Sequence, residues 1–158
     1  MKGNQDLINV LNSLLTDELT AVNQYMVHSE ICENWGYDKL HGAIRKQAFD
    51  EMHHAEWLIE RIIFLEGMPI VSKLNQINIG KTVPDMIKLD YNDELKAVRS
   101  YNDGIKLARE VKDEASAELL RKILKMEEDH VDWAEAQQDQ IQQMGIENYL
   151  LNQLTKAE

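Results

Sequence analysis

A single cysteine, Cys32, in 158 residues excludes an internal disulfide and any thiolate-rich zinc or iron–sulfur site. Prolines number two and glycines seven, about half the helix breakers that average usage gives a chain of this length. No apolar run approaches the roughly 18 residues of a membrane span. The first ten residues, MKGNQDLINV, hold no apolar signal-type stretch, so the expected location is the cytoplasm. Positive charge is also scarce: 17 Lys and Arg stand against 28 Asp and Glu, a formal net charge of −11. Such a surface repels nucleic acid and anionic membranes and attracts cations. What is present is the 44% hydrophobic and 28% charged content of an ordinary folded chain. Its length suits one core but not two, so residues 1–158 are expected to form one domain.

The few breakers are clustered. Pro69 and Pro84 both fall between Gly67 and Asp85, a stretch without a helical stripe. On either side, apolar residues recur at spacings of three and four. This pattern predicts four long helices. The first runs from about Gln5 to Asn34 and the second from about Lys39 to Glu66. The third opens at the cap Thr82-Val83-Pro84-Asp85 and reaches about Val111. The fourth runs from near Asp113 to Met144, with Gly145 as its stop, and Ile146 to Leu154 predicts a short fifth helix. Short links make antiparallel hairpins of the first and second pairs. The connection of about 16 residues between the hairpins can cross the length of the bundle. The expected fold is therefore all-α, a four-helix bundle with the long crossover of ferritin-like connectivity.

An offset of 76 residues aligns the two halves. Glu18-Leu19-Thr20-Ala21-Val22-Asn23-Gln24-Tyr25 matches Glu94-Leu95-Lys96-Ala97-Val98-Arg99-Ser100-Tyr101 at five of eight positions. The same offset aligns Glu, His and Trp of Glu51-Met52-His53-His54-Ala55-Glu56-Trp57 with those of Glu127-Glu128-Asp129-His130-Val131-Asp132-Trp133. In each half the first Glu precedes its Glu-x-x-His by 33 residues. Shared packing needs account for the aliphatic matches but not for charged residues kept in register.

Those charges interrupt core-facing stripes. Glu18, Glu51, His54, Glu94, Glu127 and His130 each fall near mid-helix where the 3-4 spacing calls for an apolar residue. An unpartnered buried carboxylate costs several kcal/mol or takes a proton, and four together repel one another. No Lys or Arg occupies a matching stripe position. Two divalent cations would balance the four carboxylates, with two imidazoles as neutral donors. Oxygen and nitrogen ligands without thiolate favour iron or manganese. A Glu from each of two helices and a Glu-x-x-His from each of two others is the di-metal carboxylate pattern of such bundles. His28, His41 and His53 read as ordinary surface or packing residues.

The chain also resembles the bacterioferritins over essentially its full length. The resemblance rests on Met1-Lys2-Gly3, Asn23-Gln24-Tyr25, Ile63-Phe64-Leu65-Glu66-Gly67 and Met144-Gly145-Ile146-Glu147-Asn148-Tyr149-Leu150. It implies that Glu51 and Glu127 bridge two irons, that Glu18 and Glu94 are terminal ligands, and that His54 and His130 each serve one iron. These six residues would be both the metal site and the catalytic site of a ferroxidase. Fe(II) would be oxidised by dioxygen or peroxide and stored as mineral in a hollow 24-subunit shell built from dimers. The resemblance further implies one b-type haem per subunit pair, ligated by Met52 and its symmetry mate, and a small ferredoxin as partner for iron release. Tyr25 and Trp133 match aromatic residues beside the family's centre. Lys46 stands where some relatives carry a His that forms an inner-surface iron site with the residue at Asp50. A protonated lysine cannot coordinate, so that extra site is not expected. Arg45 departs from the aromatic residue some relatives place near the haem. A haem-free ferritin with the same centre and a metal-free helical interaction module are the alternatives.

Overall fold

The computed structural model describes residues 1–155. Residues 156–158 of the expected domain lie outside the described residues. Helix α1 spans Gln5–Asn34, and the Asn4 side chain caps it by accepting from the Leu7 N–H. Helix α2 spans Asp38–Phe64, and the turn before it passes through Gly36 at φ 81°, a left-handed conformation suited to glycine. Helix α3 spans Val83–Glu110, with Thr82 accepting from the Asp85 N–H and proline in the first turn. Helix α4 spans Glu114–Met144 and is capped by Asp113, which accepts from the Ser116 N–H. The last helix, α5, covers Ile146–Leu151; it ends three residues short of the expected Leu154, where the chain leaves the helix in a turn.

Helix α1 packs on α2 and α3 on α4, and the two hairpins meet along α1–α3 and α2–α4. Helices α1 and α3 are antiparallel: Gln24 reaches Asp90, while near the other end Leu14 lies against Gly104. The crossover between α2 and α3 has no regular structure and is held by side chains of α1. Asn12 donates to the Met68 carbonyl and accepts from the Ile70 N–H. Thr20 accepts from Asn75, Gln24 from Asn78, and His28 Nε2 from Gly80. These residues are separated by multiples of four, so they form one ridge running obliquely across α1. Each bond contributes about 1 kcal/mol net, and losing one costs more because its partner is then buried unpaired. Gly80 is needed where the strap meets α3, since a Cβ there would come 2.5 Å from the Met86 nitrogen.

The apolar core is in two parts. Leu7, Leu11, Leu58, Ile62, Leu120 and Ile123 anchor one cluster. Cys32, Leu40, Ile44, Met86, Ile87 and Tyr149 anchor the other. On every long helix the charged residues singled out above fall between the two, so a polar layer divides the bundle at mid-height.

Candidate metal centre

All four long helices supply that layer. Glu18 comes from α1, Glu51 and His54 from α2, Glu94 from α3, and Glu127 and His130 from α4; none is more than 6% exposed. They form two groups of four, Glu18–Glu51–His54–Glu127 and Glu51–Glu94–Glu127–His130, whose ligating atoms lie within 4.8 Å of one another. Glu51 and Glu127 belong to both groups. The spacing i, i+3 places each Glu and its His on one helix face.

His54 Nδ1 lies 2.7 Å from Glu127 Oε1, 3.0 Å from Glu51 Oε2 and 3.6 Å from Glu18 Oε2. His130 Nδ1 lies 2.9 Å from Glu51 Oε1, 3.4 Å from Glu94 Oε1 and 3.7 Å from Glu127 Oε2. One ring N–H cannot satisfy three oxygens. Glu51 Oε1, Glu127 Oε1 and His130 Nδ1 accordingly have no aligned hydrogen-bond partner although each is buried. Lone pairs that converge on shared points, from oxygen and nitrogen without thiolate, fit a pair of divalent cations of the iron or manganese kind.

Without a cation the charges are balanced by protons. Burial pushes the Glu18 and Glu94 carboxyls well above their usual range, reinforced by the charges of Glu51 and Glu127. Burial acts on Glu51 in the same direction, but hydrogen bonds with Glu18 and both imidazoles outweigh it and hold that carboxyl well below its usual range. Burial disfavours charge on His54, yet Glu127, Glu18 and Glu51 push it up to about 12. His130 is raised against burial by Glu127, Glu51 and Glu94. A metal entering this site therefore displaces protons.

The donors are held from behind. The Tyr25 hydroxyl donates to Glu94 Oε1 at 2.6 Å, and the Tyr101 hydroxyl donates to Glu18 Oε1. Behind His130, Nε2 faces Asp50 Oδ2 at 3.2 Å, and the same oxygen accepts from Lys46 Nζ at 2.8 Å. Behind His54, Nε2 faces the Met126 sulfur at 3.4 Å. The Trp57 ring lies 5.7 Å from that of His54 and carries Lys122 Nζ 3.7 Å above it. Trp133 packs against the half-core that contains Tyr25.

The ferritin-like domain family matches residues 8–144. The bacterioferritin of Mycobacterium leprae is 40% identical over 149 residues, 94% of each chain. The bacterioferritin of Streptomyces coelicolor is 39% identical over 150 residues, 95% of this chain and 90% of that one. The chain belongs to the bacterioferritin family. A bacterial ferritin of Synechocystis sp. is 39% identical over 156 residues, 98% of this chain and all of its own length.

Other residues of this bacterioferritin-family chain stand apart from the cluster. Met52 follows Glu51 directly but points outward and is 45% exposed, one helical turn from exposed Phe49 on α2. Arg45 lies over the Phe49 ring and pairs with Glu30. His28 is fully buried and packs between Asp90 and Gly80. His41 faces the Ser29 carbonyl, and His53 is exposed beside Glu56. Lys46 occupies Asp50, so these two form an ion pair rather than a chelating pair. Sequence reasoning missed Asp50 as the partner of His130 and Met126 as that of His54, and it gave Tyr101 no role beyond its place in the repeat. The offset of 76 carries the missing signal: it pairs Asp50 with Met126 and Tyr25 with Tyr101. Among the described residues, no helix is long and apolar enough to cross a membrane.

Proposed function

We propose that the chain stores iron and acts as a ferroxidase. Fe(II), the substrate, is held by the two four-residue groups, with Glu51 and Glu127 bridging, Glu18 and Glu94 terminal, and His54 and His130 each serving one ion. The observation that carries this reading is the pair of buried carboxylates, each shared between two donor groups and each with an unpartnered oxygen. Four carboxylates neutralise two Fe(II). Each ion gives up one electron on oxidation, so the pair supplies the two electrons that take dioxygen to peroxide, or peroxide to water. Tyr25 and Tyr101 fix the terminal carboxylates, and Asp50 fixes the His130 ring with Nδ1 toward the centre. Fe(III) then passes to mineral inside a 24-subunit shell assembled from dimers. Residues 1–158 act as one unit, in the cytoplasm.

Met52, whose thioether is exposed on the outer side of α2, is the residue that would hold a b-type haem together with its symmetry mate. When bound, the haem would supply a redox route for reducing stored iron, with a small ferredoxin as donor. A haem-free ferritin with the same centre is the second reading, because Arg45, stacked on Phe49 and paired with Glu30, stands where the resemblance places an aromatic residue near the haem. Haem reconstitution followed by absorbance separates them: a Soret band lost on Met52→Leu supports the haem, and no band in the unaltered protein supports the second.

The test of the main reading is Glu51→Ala combined with Glu127→Ala. Stopped-flow absorbance should show rapid Fe(II) oxidation nearly abolished while size-exclusion chromatography shows the shell intact. Unchanged oxidation overturns the ferroxidase reading.

A further inference from the structure

We propose that Met126 is a modification site, oxidised by peroxide to a sulfoxide whose oxygen backs His54 as the Asp50 carboxylate backs His130. The proposal rests on the ferroxidase reading above, because that reaction is the source of the peroxide. The offset of 76 pairs Lys46 with Lys122, Asp50 with Met126 and His54 with His130. Behind His130 the chain of contacts is complete: Lys46 Nζ donates to Asp50 Oδ2 at 2.8 Å, and that oxygen faces His130 Nε2 at 3.2 Å. Behind His54 it is broken at its middle member. The Met126 sulfur lies 3.4 Å from His54 Nε2 but is a weak acceptor. Lys122 shares a helix face with Met126 at i, i+4, yet its Nζ is turned to the Trp57 ring, 3.7 Å away. One oxygen atom on that sulfur supplies the acceptor that both neighbours lack.

His54 Nδ1 is turned to the carboxylates of Glu127, Glu51 and Glu18, so Nε2 presents its hydrogen to the sulfur. That bond engages one sulfur lone pair and leaves the other for attack. Met126 is half-buried, which leaves it open to a molecule as small as hydrogen peroxide. The free lone pair attacks one peroxide oxygen, the O–O bond breaks, and the departing hydroxide takes the proton left on the transferred oxygen. Sulfur loses two electrons, peroxide gains them, and the products are the sulfoxide and water. Rotation of the flexible side chain then brings the new oxygen to Nε2, the sulfur backing off by about 1 Å. The second lone pair of that oxygen is in reach of Lys122 as Asp50 is of Lys46. Among the described residues, no other methionine sulfur is hydrogen-bonded to a member of the donor set. A strong acceptor behind a ligand imidazole makes it more basic. Peroxide accumulating at the centre therefore tightens the hold on the ion at the His54 end.

The experiment compares the assembled protein before and after oxidation. Aerobic Fe(II) turnover is followed by removal of iron with a chelator, peptide mass mapping and anaerobic titration with Co(II). Met126 should carry one added oxygen. Its share relative to Met68, which is 78% exposed, should exceed that produced by bulk hydrogen peroxide on the metal-free protein. The weaker Co(II) ion should then bind about five-fold more tightly, below the full effect of a carboxylate in that place. Met126→Gln puts an amide oxygen there and should bind as tightly without oxidation, whereas Met126→Leu should show no tightening after it. Met126 oxidised with Co(II) binding unchanged, or Met68 oxidised with Met126 spared, overturns the proposal alone. Failure of the unoxidised protein to bind two Co(II) or to oxidise Fe(II) overturns the ferroxidase reading and the proposal with it.

Discussion

The two halves of the centre face each other as near copies, yet different groups stand behind their imidazoles. His130 is backed by the Asp50 carboxylate, itself tied to Lys46. His54 is backed by the Met126 thioether and flanked by Trp57. Asp50 and Met126 occupy equivalent positions of the repeat, so the same place in each half was filled by a strong acceptor in one and a weak one in the other. An imidazole whose far nitrogen donates to a carboxylate has a fixed tautomer and is a more basic ligand. A sulfur acceptor gives neither to the same degree. The internal repeat thus provides the symmetric donor set, and the difference one residue before each shared glutamate makes its two ends unequal.

This inequality can be broken or sharpened by experiment. Asp50→Asn should have the largest effect, weakening one of two Co(II) ions by roughly 10–100-fold while the other stays bound. Isothermal titration would then resolve two classes of site, and equal weakening of both ions would contradict the asymmetry. The next effect is that of pH. Glu18, Glu94, His54 and His130 all have pKa values raised in the metal-free fold. The stabilisation that His54 draws from its proton is complete below its unfolded value near 6.5 and fades as pH rises toward about 12. Metal competes for the same ligands with those protons, so its affinity falls with falling pH, by more than about tenfold per unit below neutrality. Proton release measured in weak buffer on adding Co(II) checks this, and a pH-independent affinity would contradict it.

Tyr101→Phe removes the hydroxyl that holds Glu18, and Tyr25→Phe does the same for Glu94. Each should cost about 1 kcal/mol of stability in urea unfolding and a few-fold in Co(II) affinity, to a similar extent, because this pair is symmetric. Met126→Leu should have the smallest effect, less than about two-fold on affinity, since a thioether acceptor contributes little. A loss as large as that of Asp50→Asn would show that the two imidazoles are equally supported after all.

Much of this arrangement was legible in the sequence, for a physical reason. The helices announce themselves through apolar periodicity, and charged residues that interrupt such stripes are conspicuous because burying them is costly. The crossover was legible only as a gap in periodicity. The side chains that hold it, Asn12, Thr20, Gln24 and His28, were not, because irregular backbone imposes no spacing on its partners. Asp50 was hidden for another reason. It lies one residue before Glu51, about 100° around α2, where it reads as a surface acid paired with Lys46. Only the packing of α2 on α4 shows that it also reaches His130. Tyr101 sits on the core stripe as any buried aromatic does, and the direction of its hydroxyl is a tertiary fact.

Each donor group takes three members from one hairpin and one glutamate from the other. A hairpin of this design standing alone would therefore own neither ion. To make the same centre it would have to dock on a copy of itself about a two-fold axis. The long strap thus performs covalently what self-association would otherwise have to do: it keeps both partners present at fixed stoichiometry, and it frees each to drift away from strict equivalence, as Asp50 and Met126 have done.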